Sequence, residues 1–457
     1  MTQTRNDRRT VFGWALYDWA NSAYAVAAGA IVAPFFTGVI VPEDGFYGMS
    51  GETLWALLVS FGTTVLFLAM PVLGAVADWT ASKRRFLWSF AVMGGVMTVA
   101  TPWVPEGAVI AFLALFLLSQ IGFTAANTFY DGFLPEITTD DTIDRVSARG
   151  FAYGYAGGGV FLIVALLLIV LSGDEGVTGL SETAATRLAI ALAGLWWLGF
   201  SVPSLRRLPA AGTGRPLPSG WNGRNPIVAY AGIGFRRTWD TTRKLRRFPQ
   251  LLWFVVAYIV YMDGVQTVIN ISGAFAADTL GLSTPTIVGG FLIVQFVAFG
   301  GALAFGWLAD RIGAKRGILV GLVMWSGVVA IASFLPAGEV APFLAATVGV
   351  GVVLGGVSSL SRSLYGSMIP EEASAEFFGF FTVFSKFSAI WGPLLFGIIS
   401  GVTGSGRSGI STVIVFFVVG GLLLARVDVD TARADRARWS EIIAASNHPD
   451  EGEAGPH

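Results

Sequence analysis

The strongest constraint on the fold of this chain is a series of long apolar runs, separated by charged residues or by residues rich in Gly and Pro. About twelve such runs occur in 457 residues. A membrane-spanning helix needs about 20 apolar residues, whereas a strand of an outer-membrane barrel needs about ten in alternation. The runs therefore predict an all-α polytopic membrane protein.

The predicted spans, numbered 1 to 12 in chain order, form two sets of six. The first set covers residues 12–40, 53–77, 86–104, 108–133, 150–171 and 186–202. The second set covers residues 250–272, 284–309, 317–335, 340–364, 377–402 and 409–425. We predict five regions, which are an N-terminal segment (1–11), a first bundle (12–203), a basic central loop (204–249), a second bundle (250–426) and a polar tail (427–457).

The composition excludes several other classes of protein. Charged residues make up 13% of the chain, against roughly 25% in soluble domains, and mean hydropathy is +0.67. The absence of cysteine excludes a disulfide scaffold, and a net charge of −1 provides no basic field for nucleic acid. The two histidines, His448 and His457, lie in the tail, so we expect no His-based metal or catalytic centre and no cofactor.

Lysine and arginine predict the orientation of the chain. Three arginines precede span 1 and ten Lys or Arg residues lie between spans 6 and 7, whereas the opposite loops contain only Arg187 and Arg407. Because cytoplasmic loops are enriched in these residues, both termini are predicted to be cytoplasmic. We expect a multi-pass monomer in the lipid bilayer of the cell membrane.

Three motifs of the first half recur in order in the second half, 232 to 245 residues later. The pairs are Gly74 to Lys83 with Gly306 to Lys315, Tyr130 to Glu136 with Tyr365 to Glu371, and Asp18 with Asp263. This recurrence indicates an internal duplication. Duplicated helix bundles are typical of transporters, whose binding site lies between the repeats near the bilayer midplane.

The loops after spans 2 and 8 resemble the signature loop of the major facilitator superfamily. The second copy fits well, but the first has Trp79 in place of a basic residue and Ala81 in place of Gly. Longer motifs resemble the vacuole-effluxer-like branch, which is related to autophagy-linked vacuolar amino-acid exporters. These motifs are residues 14–24, 133–136, 261–269, 361–363 and 370–371. The resemblance implies two pseudo-symmetric six-helix bundles and a solute transporter, with amino acids as the favoured solute.

Polar and ionisable side chains inside predicted spans form the candidate cavity, because lipid cannot solvate them. The predicted lining of the solute and coupling-ion cavity is Asp18, Asn21, Tyr24, Asn127, Asp263, Gln266, Asn270 and Lys386. Asp263 and Lys386 are the deepest charges, and they could bind opposite ends of a zwitterion. The alternatives are a structural ion pair between those two residues and a gating contact by Asp18 with Asn21.

A second set is predicted to form a cytoplasmic gate. Its members are Asp78, Lys83, Arg84, Asp131, Asp310, Arg311, Lys315 and Arg362. Asp131 is expected to pair with Lys83, Arg84 or Arg85, a role that the resemblance gives to a fourth-helix aspartate. Asp310 is expected at the start of span 11 and Asp78 at the start of span 5, where unpaired N–H groups favour a carboxylate.

These features predict a secondary active transporter, not an enzyme, that works by alternating access and couples a small polar or zwitterionic solute to protons. One alternative is a prenyl transferase, because Asp140, Asp141 and Asp144 resemble a diphosphate-binding motif, although a second acidic cluster in a span is missing. Another alternative is a receptor or scaffold that does not transport.

Overall fold

The computed structural model describes residues 5–173, 176–209, 226–245, 248–387 and 391–446. In these ranges all regular secondary structure is helical, and eleven helices are long and apolar enough to cross a membrane. These are spans 1 to 10 and span 12 of the sequence prediction. Their bounds are Arg8–Ile40, Thr53–Trp79, Lys83–Trp103, Val109–Ile137, Ile143–Val170, Glu182–Leu205, Pro249–Thr279, Pro285–Ile312, Ala314–Ser333, Val340–Met368 and Gly406–Ala425.

Span 11 is described only in part, because residues 388–390 lie outside the described ranges. Its region contains two described helices, Ser374–Phe387 and Trp391–Thr403. The second of these helices contains Pro393 close to its first described residue.

Two further helices lie outside the spans. Pro226–Leu245, within the predicted central loop, packs on span 2, where a Cβ on Gly234 would lie 2.7 Å from Val76 Cγ2. Val429–Ser446 follows span 12 and contacts spans 7 and 10.

Both described ends of the chain lie on the same side of the bundle, which we call the terminal side. There the backbone N–H of Asn6 donates to Ile137 O, and Arg436 of the last helix binds Asp140. The opposite end, which includes the loops before spans 2 and 6, is called the far side. Spans 1 and 7 each end there in a π-helical turn, Phe36–Ile40 and Phe275–Thr279, as expected for a duplicated architecture.

Contacts within each half build separate apolar cores. Span 1 packs on spans 5 and 6, and span 3 packs on spans 4 and 6. In the second half, span 8 packs on span 10 and span 7 packs on span 12, around a buried core that includes Trp325 and Phe417. The two halves meet where span 5 contacts spans 8 and 10 and where span 2 contacts the first helix of span 11.

Candidate functional site

Arg362 of span 10 forms a buried ion cluster with the first half on the terminal side. Its Nη1 lies 3.0 Å from Asp131 Oδ1 of span 4 and 3.3 Å from Asp18 Oδ2 of span 1. Its Nε donates to Ser147 Oγ and its Nη2 to Ser147 O. The Tyr130 hydroxyl also donates to Asp18. One cation from the second half is thus bound by two carboxylates of the first half.

Aromatic rings and a glycine make room for this guanidinium. Its Cζ lies 4.2 Å from the ring centre of Phe151 and 4.8 Å from that of Trp14, distances typical of cation–π contacts. A Cβ on Gly150 would lie 2.7 Å from Arg362 Nη2 and 2.8 Å from Asp18 Oδ2. Span 5 therefore requires a glycine here for the two halves to approach.

Asp78 makes a second junction between the halves. Its carboxylate accepts hydrogen bonds from the backbone N–H groups of Ala375 (3.3 Å) and Glu376 (2.9 Å) at the start of span 11. Lys83 lies beside it, with Nζ 3.5 Å from Asp78 Oδ1 and 2.6 Å from Glu136 Oε1. The same Nζ donates to Ser374 Oγ across the junction. A helix start, a carboxylate and a buried lysine therefore join span 2 to span 11.

The second copy of the loop makes a more exposed junction. Asp310 Oδ2 accepts from Arg145 Nε (3.0 Å) and Nη2 (2.6 Å), and Arg145 lies in the first turn of span 5. Arg311 lies over the ring of Trp307, and Lys315 donates to Ala425 O and Val427 O at the end of span 12.

Three gate residues, Asp78, Asp310 and Asp131, have other partners than the sequence predicted. Asp78 binds the start of span 11 and Asp310 binds span 5, the reverse of the prediction, because spans 2 and 8 each pack on the opposite half. Asp131 pairs with Arg362, since Lys83 is occupied by Asp78 and Glu136. Arg84 is half-exposed and makes no hydrogen bond or ion pair with any residue that the structure describes.

Two further contacts connect the chain ends to the opposite half. Arg5 binds Glu371, and Arg436 binds both carboxylate oxygens of Asp140 at 2.9 Å. Burial raises the pKa of Glu371, and the neighbouring Arg5 offsets only part of this rise. The hydrogen bonds that Arg436 donates to Asp140 raise the pKa of Arg436.

The far side instead contains a large cavity of about 1020 Å³ between the halves. Its walls come from the far portions of spans 1, 5, 6, 7, 8 and 10, and most of its lining is apolar. The polar residues of the lining are Glu182, Thr183, Thr186, Asn270, Ser272 and Gln295. Within the described residues, the hydrogen bonds that join the halves lie away from this cavity, toward the terminal side.

The predicted cavity residues are separated by the structure. Asn270 lines the far cavity, whereas Asp18 belongs to the Arg362 cluster. Asn21 donates to Asn127 Oδ1 between spans 1 and 4 of the same half. Tyr24 is 3% exposed and packs on Phe123 and other rings of the first half, so its assignment to the cavity was wrong. The ring of Tyr24 faces the core of the first bundle, because aromatic residues on spans 4 and 6 surround it.

Asp263 is buried as predicted, but its partners are backbone groups. It is 1% exposed, and its carboxylate accepts from the N–H groups of Trp391 (3.0 Å) and Gly392 (2.8 Å). It therefore caps the second helix of span 11, and it does not line the far cavity. Gln266 is half-buried and also lies outside the cavity lining. Lys386 belongs to the first helix of span 11, but its side chain lies outside the described residues.

Sequence reasoning missed Gln295 and the start of span 6 as cavity lining. Gln295 is a lone amide in an apolar run of span 8, so the argument used for Asn270 could have found it. Glu182 and Thr183 lay before the predicted start of span 6, and only the helical extension to Glu182 places them beside the cavity.

Two bundles closed on one side by ion clusters, with a cavity on the other, define a transporter of the major facilitator type. The fold is similar to that of FucP, a major facilitator superfamily transporter solved in the outward conformation. The TM-score is 0.66 at 11% identity, over 92% of this chain and 98% of FucP.

Sequence comparison then identifies the family. A family model described as vacuole effluxer Atg22-like matches residues 46–437, and this chain belongs to that family. It is 31% identical to the uncharacterized MFS-type transporter YxiO of Bacillus subtilis (strain 168), over 92% of this chain and 95% of YxiO. Its family and fold are those of transporters, not enzymes.

Fungal relatives are longer. Autophagy-related protein 22 of Cryptococcus neoformans (strain B-3501A) is 30% identical over 315 residues, which cover 66% of this chain and 55% of the relative. The match thus spans about half the length of this fungal protein.

Proposed function

We propose that this protein moves a small zwitterionic solute by alternating access, with protons as the coupling ion. The observation that carries the proposal is the one-sided closure of the two halves. Ion pairs and hydrogen bonds join them on the terminal side, while a cavity of about 1020 Å³ separates them on the far side. A transporter that is closed on one side of the membrane and open on the other has this asymmetry.

The cavity favours a solute with both apolar and polar parts. Aliphatic and aromatic side chains such as Phe291 make up most of the lining, whereas Asn270, Gln295 and Glu182 supply amide and carboxylate groups. A carboxylate is suited to a solute ammonium group, and amides can donate to a solute carboxylate. An amino acid with an apolar side chain combines these requirements.

The Arg362 cluster is our candidate for proton coupling. Two carboxylates, Asp18 and Asp131, share the guanidinium of Arg362. If one carboxylate is protonated, the guanidinium keeps a single ion pair with the other, and span 10 is attached less strongly to the first half. A proton that binds here would therefore lower the cost of opening the terminal side. We do not assign the coupling proton to Asp263 of the predicted coupling-ion cavity, because its carboxylate accepts the N–H groups of Trp391 and Gly392 as a helix cap.

Flux into proteoliposomes tests solute and coupling together. Amino acids would first be screened by thermal shift, since a ligand that binds only the folded state stabilises it. For a stabilising amino acid, Asp131→Asn should abolish uptake driven by a pH gradient but retain counterflow exchange, because the amide mimics the protonated acid. Asp44→Asn, an exposed far-side carboxylate, is the matched control.

The outcomes separate the alternatives. Normal pH-driven uptake by Asp131→Asn would contradict the coupling role. A stabilising ligand that never crosses the membrane would instead indicate a receptor. Asp263→Asn should lower the melting temperature through the lost helix cap while leaving pH dependence in place; loss of pH dependence alone would restore Asp263 as the coupling group.

We also propose that the terminal side faces the cytoplasm, in the cell membrane, with the protein as a monomer. The excess of Lys and Arg on that side supports the orientation. A protease-cleavable tag on the tail, accessible only in inside-out vesicles, would test it.

A further inference from the structure

A second pocket, outside the transport cavity, lies on the lateral surface at the terminal side. It has a volume of about 520 Å³ and is bounded by spans 1 and 5 of the first half and span 8 of the second. Its described lining includes three arginines, Arg8, Arg145 and Arg149, and no acidic residue. We propose that this pocket binds the headgroup and upper acyl chain of an anionic phospholipid.

The first argument is unbalanced charge. Arg145 uses its Nε and Nη2 to bind Asp310. Arg8 and Arg149 are exposed, and neither makes a hydrogen bond or ion pair with a described residue. Two guanidinium groups therefore face the pocket without a counter-charge, and guanidinium is the side-chain group best matched to a phosphate.

The second argument is the shape and polarity of the pocket. Below the arginines its walls are Phe12, Phe299 and Leu303, which are 44%, 37% and 40% exposed on the surface of the spans. Phe299 lies 13 residues before the end of span 8 at Ile312, or ~20 Å at 1.5 Å per residue. The pocket thus extends from a basic rim into the hydrocarbon region.

These two features select a lipid over a soluble anion. A free phosphate would bind the arginines at the rim but would make no contact with the apolar walls. A phospholipid places its phosphate at the interface and its chain along apolar side chains, and basic pockets between spans are suited to such headgroups. Since the walls belong to both halves, the bound lipid would bridge them beside the Arg145–Asp310 pair.

Native mass spectrometry of the purified full-length protein tests the proposal. Delipidated protein would be titrated with dioleoyl phosphatidylglycerol and, separately, with dioleoyl phosphatidylcholine. We expect one tightly bound phosphatidylglycerol, and weaker binding of phosphatidylcholine. The double substitution Arg8→Gln, Arg149→Gln should weaken phosphatidylglycerol binding about 30-fold, taking roughly 1 kcal/mol for each cation near the membrane surface.

A matched control removes equal charge elsewhere on the same side. Arg85→Gln, Arg316→Gln replaces two exposed arginines that lie outside this pocket, and it should keep wild-type affinity. Equal loss in the control would show diffuse surface attraction and overturn the site. Equal binding of phosphatidylcholine would show an apolar groove that does not recognise charge.

A second measurement locates the acyl chain and separates lipid from soluble phosphate. Because the chain has no cysteine, Phe299→Cys can be labelled singly with a fluorophore. Phosphatidylglycerol with brominated chains should quench this label more than brominated phosphatidylcholine, and inorganic phosphate should not compete. Competition by millimolar phosphate, or absence of quenching, would overturn the lipid assignment.

Discussion

The two copies of the duplicated loop close the terminal side by different means. Asp78, with a side chain 2% exposed, binds backbone N–H groups of Ala375 and Glu376. The side chain of Asp310 is 21% exposed, and it binds the side chain of Arg145, which is 55% exposed. A buried carboxylate on a helix start and an exposed ion pair therefore occupy equivalent positions in the two halves.

The copy with the poorer match to the signature makes the more buried junction. Trp79 and Ala81 depart from the motif, yet the adjoining Lys83 is 6% exposed and bound to Glu136 and Ser374. Its counterpart Lys315 only binds the end of span 12 in its own half. Similarity to a motif therefore indicates a shared loop shape, whereas the partner helix decides how strongly the loop joins the halves.

The largest difference is expected when the two carboxylates are removed. Asp78→Ala loses two charge-assisted bonds and leaves buried Lys83 with one fewer anion, a loss of about 3–5 kcal/mol for a broken buried pair. Asp310→Ala removes an exposed pair, whose loss costs about 0–1 kcal/mol. Asp78→Ala should therefore shift the protein toward the state open on the terminal side, and Asp310→Ala should barely do so.

Cysteine accessibility measures this shift, because the chain has no native cysteine. Thr128→Cys places a thiol at a position 1% exposed, between spans 4 and 11. Its maleimide labelling should rise strongly in Asp78→Ala and little in Asp310→Ala. Equal labelling in both variants would mean that burial of the junction does not determine its strength.

An intermediate effect is expected at the glycines that precede the two aspartates. A Cβ on Gly74 would lie 2.4 Å from Ala375 O and 2.7 Å from Glu376 Cα, both backbone atoms of the opposite half. On Gly306 the single close atom is Ala148 Cβ, at 2.6 Å. Overpacking of this kind costs about 1–3 kcal/mol.

Gly74→Ala should therefore increase Thr128→Cys labelling more than Gly306→Ala does. A larger effect of Gly306→Ala would show that the span 5 and span 8 contact, although more exposed, is the less adaptable of the two.

Much of the fold was predictable because the length of each apolar run is a local property of the sequence. The predicted gate, which rested on charges near span ends and on the family resemblance, included Arg362 and Asp131, and the structure brings these two residues together where the halves meet. The pairings were not predictable, since nothing in the sequence of span 2 shows that it packs on span 11. That contact exchanged the expected partners of Asp78 and Asp310.

Asp263 shows a second limit. Its depth in span 7 follows from its position in an apolar run, and a partner was required because lipid cannot solvate it. Lys386 was the only charge in span 11, so it was the natural choice. The actual donors are backbone N–H groups of Trp391 and Gly392, the first two described residues of the second helix in this region. Side-chain types alone do not reveal a free helix end.

The smallest expected effect concerns the turn that follows each aspartate. Ala81 has φ +47°, in the left-handed region, where the second copy has Gly313 with φ +84°. The left-handed conformation costs an alanine about 1–2 kcal/mol in strain. Replacing it by glycine removes this strain but costs about 0.5–1 kcal/mol, because glycine loses more conformational entropy when the chain folds. Ala81→Gly should therefore raise the melting temperature slightly.

The control is Ala314→Gly, in the same loop of the second copy but in the first turn of span 9. This substitution should lower the melting temperature, because a glycine there relieves no strain and carries the same entropy cost. Opposite signs in a thermal melt would confirm that the first loop is held in a strained turn by its junction with span 11, and a decrease for both would show that Ala81 adopts this turn without strain.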